Sequence, residues 1–272
     1  MDLSRLFDLE SHGPDTFVGI GPRYPWGGLY GGQIVAQALR AAAGTVDTGL
    51  SVHSLRSYFI RRGDHTEPIR FEVDRIRNGR SFSTRRVIAR QAIGAILNLE
   101  ASFQLAEASL DLQTITMDPN VPSPESLISE SWTPSSLRCF VPPDWTPTTV
   151  QPGAGRTLAW MKIDAELGDD QLLHRCWLAY LSDDLPTDSV RAATGLDHER
   201  MYAASLDHTI WFHRPVRVDE WHLHDFSCHS FGGGRGLSIG HVFSADGAHV
   251  ATVAQEVLMR ERRTQQDGDH VS

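Results

Sequence analysis

The chain has 272 residues, 40% of them hydrophobic and 22% charged, with a formal net charge of -9. That length and composition suit one large globular domain or two smaller ones with real cores, and the acidic balance excludes a general nucleic-acid binder, which needs basic surface against phosphates. The uncharged apolar runs fall far short of a bilayer span, so no membrane association is expected.

The N-terminus, MDLSRLFDLESHG, carries acids where an export signal needs a continuous apolar stretch, which predicts a cytoplasmic protein. Cys139, Cys176 and Cys228 are scattered without a CxxC, so they suggest neither a disulfide framework nor a zinc site. Residues 31–44, GGQIVAQALRAAAG, place Ile34, Val35, Ala38, Leu39 and Ala42 on one helical stripe. The opening Gly31-Gly32 allows close backbone approach and leaves amide groups bare at a helix start. Ile69, Phe71 and Val73 then alternate with charged residues, as do Leu97, Leu99, Ala101, Phe103 and Leu105 with mostly polar ones. Both patterns predict strands with one buried face.

Basic residues are nearly all arginine, Lys162 being the sole lysine. They cluster at Arg61-Arg62 and at Arg75, Arg77, Arg80, Arg85 and Arg86. Such a run is either a solvated strand face or a patch for a phosphorylated small ligand. Between Pro119 and Pro152 fall eight of the 14 prolines, so residues 108–155 read as a connector between an N-terminal unit, 1–107, and a C-terminal unit, 156–272.

The second half repeats the order of the first. DDQLLHRCWLAYLSDD is a helix apolar on nearly all sides, hence buried, ended by acids and Pro186. A gapless shift of 153 superposes Phe59 on Phe212, Arg61 on Arg214, Gly79 on Gly232 and Ala101 on Ala254, which points to a tandem duplication. Each repeat reads as an antiparallel sheet curling around a helix, an α+β architecture. The GGGRG string at 232–236 lies between strands and reads as a tight turn or a bulge.

Signatures of a serine nucleophile elbow, a Walker loop or a dinucleotide fold are missing, and no cofactor is implied. His222, His224 and His229 lie close in sequence, but no carboxylate cluster completes a ligand set, so no metal is expected. Polar residues on apolar faces are more informative. Gln255 shares its strand face with Ala251, Val253, Val257 and Met259. Ser205 enters the strand SLDHTIWFH, and Asp183 ends an otherwise apolar helix. Gln255 and Asp183 each have a purely structural reading as well: a satisfied core amide and a terminal polar residue.

Both halves also resemble a known family, the type II acyl-CoA thioesterases with a double hot-dog fold. The strings are GGQIVAQAL (31–39), VHSLRSYFIRRGD (52–64), RIRNGRSFSTRRV (75–87), LAYLSD (178–183), SLDHTIWFHRP (205–215) and AQEVLMR (254–260). The resemblance implies hydrolysis of fatty acyl-CoA, with Asp183, Ser205 and Gln255 as the catalytic group and further association into homo-oligomers. It is weak across the proline-rich connector. This chain departs from the family in placing Asp184 directly after Asp183, and in having Pro186 where the family continues a helix.

A thioester carbonyl lacks amide resonance, so a positioned water suffices as nucleophile. Asp183, or Asp184 beside it, would activate it while Ser205 and Gln255 hold it, unless Gln255 contacts the carbonyl itself. Gly32, Arg61, Arg62, Arg80 and Arg85 are the candidate substrate-binding residues. The rival readings are a hot-dog hydratase or dehydratase using Asp207-His208, and a non-catalytic acyl-CoA or lipid binder. At the 153-residue shift Gln255 falls on Ser102 and Ser205 on Val52, which predicts one active site per chain.

Overall fold

A computed structural model describes residues 5–133, 135–196 and 199–262. The chain begins with the short strands β1 (Glu10–Ser11) and β2 (Thr16–Gly19), then α1 (Gly31–Ala43). Four long strands follow: β3 (Leu50–Phe59), β4 (Ile69–Asn78), β5 (Phe82–Gln91) and β6 (Gly94–Leu105). The connector contributes β7 (Glu130–Ser131) and β8 (Ser136–Phe140). The second half runs β9 (Ala154–Ile163), α2 (Gln171–Leu181), α3 (Leu185–Thr194), β10 (Met201–Ser205), β11 (Asp207–Phe212), β12 (His222–Gly232), β13 (Arg235–Ser244) and β14 (His249–Glu261).

The strands form one antiparallel sheet in the order β1-β2-β4-β5-β6-β3-β11-β14-β13-β12-β9-β8-β7, with β10 beside β14. With α3 and β10 set aside as additions to the second half, each half places a strand, then a helix, then four sheet strands, and orders them alike: β2-β4-β5-β6-β3 in one, β9-β12-β13-β14-β11 in the other. The halves join where β3 pairs with β11, Ser57 opposite His208 and Leu55 opposite Ile210. The duplication read from the sequence is therefore visible in topology, and the architecture is the α+β double repeat that the resemblance implied.

The shift of 153 maps β5 onto β13 residue for residue, but it fails at the last strand. Gln91 pairs with Gly94 across a two-residue turn, whereas the amide of Ser244 reaches Ala248 across three residues. That one-residue insertion moves the equivalence in β14 to 154. In the first half Arg85 pairs with Ala101, and in the second Ser238 pairs with Gln255. Ala101, not Ser102, is thus the counterpart of Gln255. Ser102 lies on the other face, hydrogen-bonded to His53 at 2.8 Å. Ser205 does match Val52, since they pair with Val257 and Phe103 respectively.

Small residues let α1 lie close on its sheet: Ala36, Ala38, Ala41 and Ala42 are all fully buried. α2 is capped by Asp170, whose carboxylate accepts from the amides of Leu172 and Leu173. After Leu181 the chain turns through Ser182, Asp183 and Asp184, and Pro186 opens α3 instead of merely ending α2. A proline is tolerated in a first turn because its missing N–H has no intrahelical partner there. Gly195, at φ 63°, closes α3. Gly233 and Gly234, at φ 57° and 73°, form the tight β12–β13 turn expected of GGGRG.

The connector is a strap over the outer face of the second repeat's part of the sheet, where Ile115, Met117, Val121 and Trp145 cover Trp160, Leu223 and Phe243. Asp118 pins it by accepting from both the amides and the hydroxyls of Thr148 and Thr149. Among the described residues no helix is long and apolar enough to cross a membrane.

Candidate active site

The site forms where the start of α1 meets the end of α2. Tyr30, the residue capping α1, offers no side-chain acceptor, so the first-turn amides look to another partner. That partner comes from the other repeat: Gly32 N–H donates to Asp183 Oδ2 at 2.9 Å. The positive end of the α1 dipole favours the carboxylate there. Two glycines are needed for the approach. A Cβ on Gly31 would stand 2.5 Å from Asp183 Oδ2, and one on Gly32 would stand 2.2 Å from the Tyr180 carbonyl oxygen.

Asp183 Oδ1 accepts from Ser205 Oγ at 2.9 Å, and Ser205 Oγ accepts from Gln255 Nε2 at 2.8 Å. Gln255 lies on the inner face of β14 with Ala251, Val253, Val257 and Met259, all buried as the alternation predicts. Its Oε1 meets His208 Nδ1, and His208 Nε2 lies 2.9 Å from Ser182 Oγ. Burial raises the pKa of Asp183, although nearby His208 and the hydrogen bonds from Ser205, Gln255 and Gly32 pull the other way. Burial lowers that of His208, against the attraction of Asp183.

The two neighbouring acids separate cleanly. Asp184 turns away from Ser205 and pairs with Arg138 of β8 at 2.6 Å. Burial pushes it up to about 7 against the pull of that arginine. Asp183 alone faces Ser205 and the start of α1.

Family models match both halves. Residues 21–104 match the one described as the acyl-CoA thioesterase N-terminal domain, and residues 112–259 the one described as the acyl-CoA thioesterase C-terminal domain. The chain belongs to the type II acyl-CoA thioesterases. It is 34% identical to acyl-CoA thioesterase 2 of Haemophilus influenzae, over 95% of this chain and 97% of that one. It is 37% identical to the crystal structure of the acyl-CoA thioesterase II TesB2 from Mycobacterium marinum, with a TM-score of 0.87 over 98% of this chain and 100% of the other. A hot-dog protein from Alicyclobacillus acidocaldarius, 20% identical, shares the fold at a TM-score of 0.78, over 97% of this chain and 99% of that one.

Of the substrate-binding candidates in this thioesterase, Gly32 sits at the centre of the site. Arg61 and Arg62 lie at the same end of the sheet. Arg61 reaches the Ala95 carbonyl at 2.8 Å, and Arg62 reaches the carbonyls of Trp26 and Gly27 in the loop that leads into α1. Both are exposed. Arg80 lies at the opposite end. The Phe59–Leu97 pair marks the site end and the Phe82–Gln104 pair the far end, roughly 24 Å apart at strand rise.

Arg85 must be corrected outright. It is only 2% exposed, and its guanidinium donates to Thr45 Oγ1 and to the carbonyls of Thr45, Arg77 and Thr84. It anchors the chain after α1: four of its five N–H donors are taken, and its burial keeps it from a phosphate in solvent. Arg75 and Arg86 are paired with Asp15 and Asp74, so much of that run is self-neutralised.

The histidines His222 and His224 share a buried face as expected, their rings 5.0 Å apart. Among the described residues no group of three His, Cys, Asp or Glu side chains could hold a metal. Sequence reasoning noted His208 only as half of a hydratase-like pair and missed Ser182 as its partner. The signal was available, because a histidine on the same buried face as Ile210 needs polar partners.

Proposed function

We propose that this chain hydrolyses fatty acyl-CoA by direct attack of a water held against Asp183, Ser205 and Gln255. The observation that carries the reading is the single network joining these three side chains to the open start of α1. Asp183, ionised, takes a proton as the water oxygen bonds to the thioester carbon. The carbonyl becomes an oxyanion, which the α1 dipole and first-turn amides favour. Collapse of that intermediate expels the CoA thiolate and leaves the free acid. Ser205 orients the carboxylate, and the Gln255 amino group donates to Ser205 and to Asp183, holding both in place for the water.

Arg62, exposed beside the loop entering α1, is the candidate for contact with a CoA phosphate. The aromatic cluster of Trp26, Tyr30 and Trp132 offers apolar surface to an acyl chain. The three cysteines are free and buried, which suits a cytoplasmic setting. A hydratase role for Asp207-His208 is disfavoured by geometry: Asp207 accepts from the Glu256 amide, and both ring nitrogens of His208 face Gln255 and Ser182.

The test is incubation of purified protein with acyl-CoAs of graded chain length and a thiol reagent. Free CoA must appear in step with free acid. With a 2-enoyl-CoA in the series, loss of the enoyl absorbance without thiol release would instead mean a hydratase, and binding without either would mean a carrier.

A further inference from the structure

The polarity of the hydrogen-bond network is forced from one end. An ionised carboxylate can only accept, so Ser205 must donate to Asp183. Ser205 Oγ therefore accepts from its other neighbour, and Gln255 must present its amino end. That leaves Gln255 Oε1 facing inward, where it needs a donor, and the group there is His208 Nδ1. His208 Nε2 meets the Ser182 hydroxyl, which also lies 3.2 Å from the Ala179 carbonyl. Ser182 can donate to a neutral imidazole, or accept from a protonated one while donating to Ala179. In both states Nδ1–H points at Gln255.

The chain contains its own control. The first repeat has the same strands in the same register without this site. The position of Ser205 is held there by Val52, that of Gln255 by Ala101 and that of His208 by Leu55, all three almost fully buried. The fold thus accepts a leucine where His208 stands, and the imidazole appears only in the repeat that carries Gln255 and Ser205.

We infer that His208, backed by Ser182, is a positioning residue that fixes the rotation of the Gln255 amide so that its amino end faces Ser205 and Asp183, the groups that hold the attacking water. Without the Nδ1–H donor the amide turns over, its oxygen faces the Ser205 hydroxyl, and Ser205 can no longer orient Asp183. The inference rests on the water-attack reading above and adds the group that sets its geometry.

The test compares variants in steady-state thiol release, with melting temperature as the folding control. H208L removes the donor and should lower kcat roughly 10-fold to 10²-fold with KM nearly unchanged, as expected for misplaced reacting groups. H208N supplies an N–H close to the Nδ1 position and should restore most of that loss. H208Q, whose amide reaches the Nε2 position instead, should stay as slow as H208L. In a Gln255→Ala background H208L should add no further loss, because the residue acts only through Gln255.

The inference is overturned if H208L turns over like wild type, if H208N is no faster than H208L, or if the two losses multiply. Should H208L fail the melting control, the comparison of H208N with H208Q decides alone. A Gln255→Ala variant with wild-type kcat would sink the water-attack reading itself. Slow Gln255→Ala beside wild-type-like His208 variants would remove only this inference.

Discussion

Replacing Asp183 by asparagine tests charge and geometry together. The side chain is 7% exposed, so the variant keeps its volume in a packed place. One carboxylate oxygen accepts from Ser205 and the other from Gly32 N–H. Asparagine can accept at only one of these, so a donor faces a donor at the other, a mismatch of about 1–3 kcal/mol. Against this, the variant removes a buried charge whose burial already raises its pKa. The two effects oppose, and the melting temperature should change little.

Catalysis has no such compensation. Without a base, kcat should fall roughly 10²- to 10⁴-fold, or about 3–5 kcal/mol in the barrier. Asp184→Asn is the comparator: it weakens a pair with Arg138, which retains Glu130, and touches none of the reacting groups. Its turnover should stay close to wild type. The assay is thiol release from an acyl-CoA at saturating substrate, beside a thermal melt. Near-wild-type kcat in Asp183→Asn, or a larger kcat loss in Asp184→Asn than in Asp183→Asn, would refute the assignment.

Three further outcomes follow from the same geometry. Because burial raises the Asp183 pKa, the acid limb of kcat/KM should lie above the usual carboxylate range. The stability this group contributes is present at low pH and lost as pH rises through the raised pKa, opposite in sign to the activity, and Asp183→Asn should abolish that decline in a pH series of melts. Arg62→Glu should raise KM for acyl-CoA about 5-fold or more with kcat unchanged, whereas Arg80→Glu should alter neither; equal effects would dismiss Arg62 as a phosphate contact. His224 has no hydrogen-bond partner at either ring nitrogen among the described residues and is fully buried, so His224→Leu should stabilise the fold by about 1–3 kcal/mol; a lower melting temperature would show that the imidazole does have a partner.

Much of this molecule was legible in sequence because period-2 alternation and an internal repeat are strong signals. Ile69, Phe71 and Val73 are buried as their alternation requires, and β5 and β13 superpose at the expected shift. The shift broke at a turn, where one extra residue changes register and exchanges the two faces of a strand. Sequence alignment preferred the glycine match at Gly94 and Gly247, but strand pairing put Ala101, not Ser102, opposite the role of Gln255.

Arg85 misled for a different reason. A charge in an arginine run carries no mark of whether its strand face looks inward, and its partners at Thr45 lie 40 residues away. His208 and Ser182 were invisible as a pair because α2 and β11 meet only in three dimensions. The strap carried a composition signal, its prolines, but nothing local announced that its apolar residues would cover the outer face of the second repeat's strands.

A water attack at Asp183 requires a single thioester site per chain, built from the start of α1 and the second repeat. The most direct measurement is a crystal structure with a non-hydrolysable acyl-CoA thioether, together with the number of analogues bound per chain. The thioether carbon should lie beside Asp183 and Gln255 at the α1 N-terminus, with one analogue per chain and the Val52–Ala101 side of the first repeat empty. An analogue seated at Val52 and Ala101, or two per chain, would contradict it.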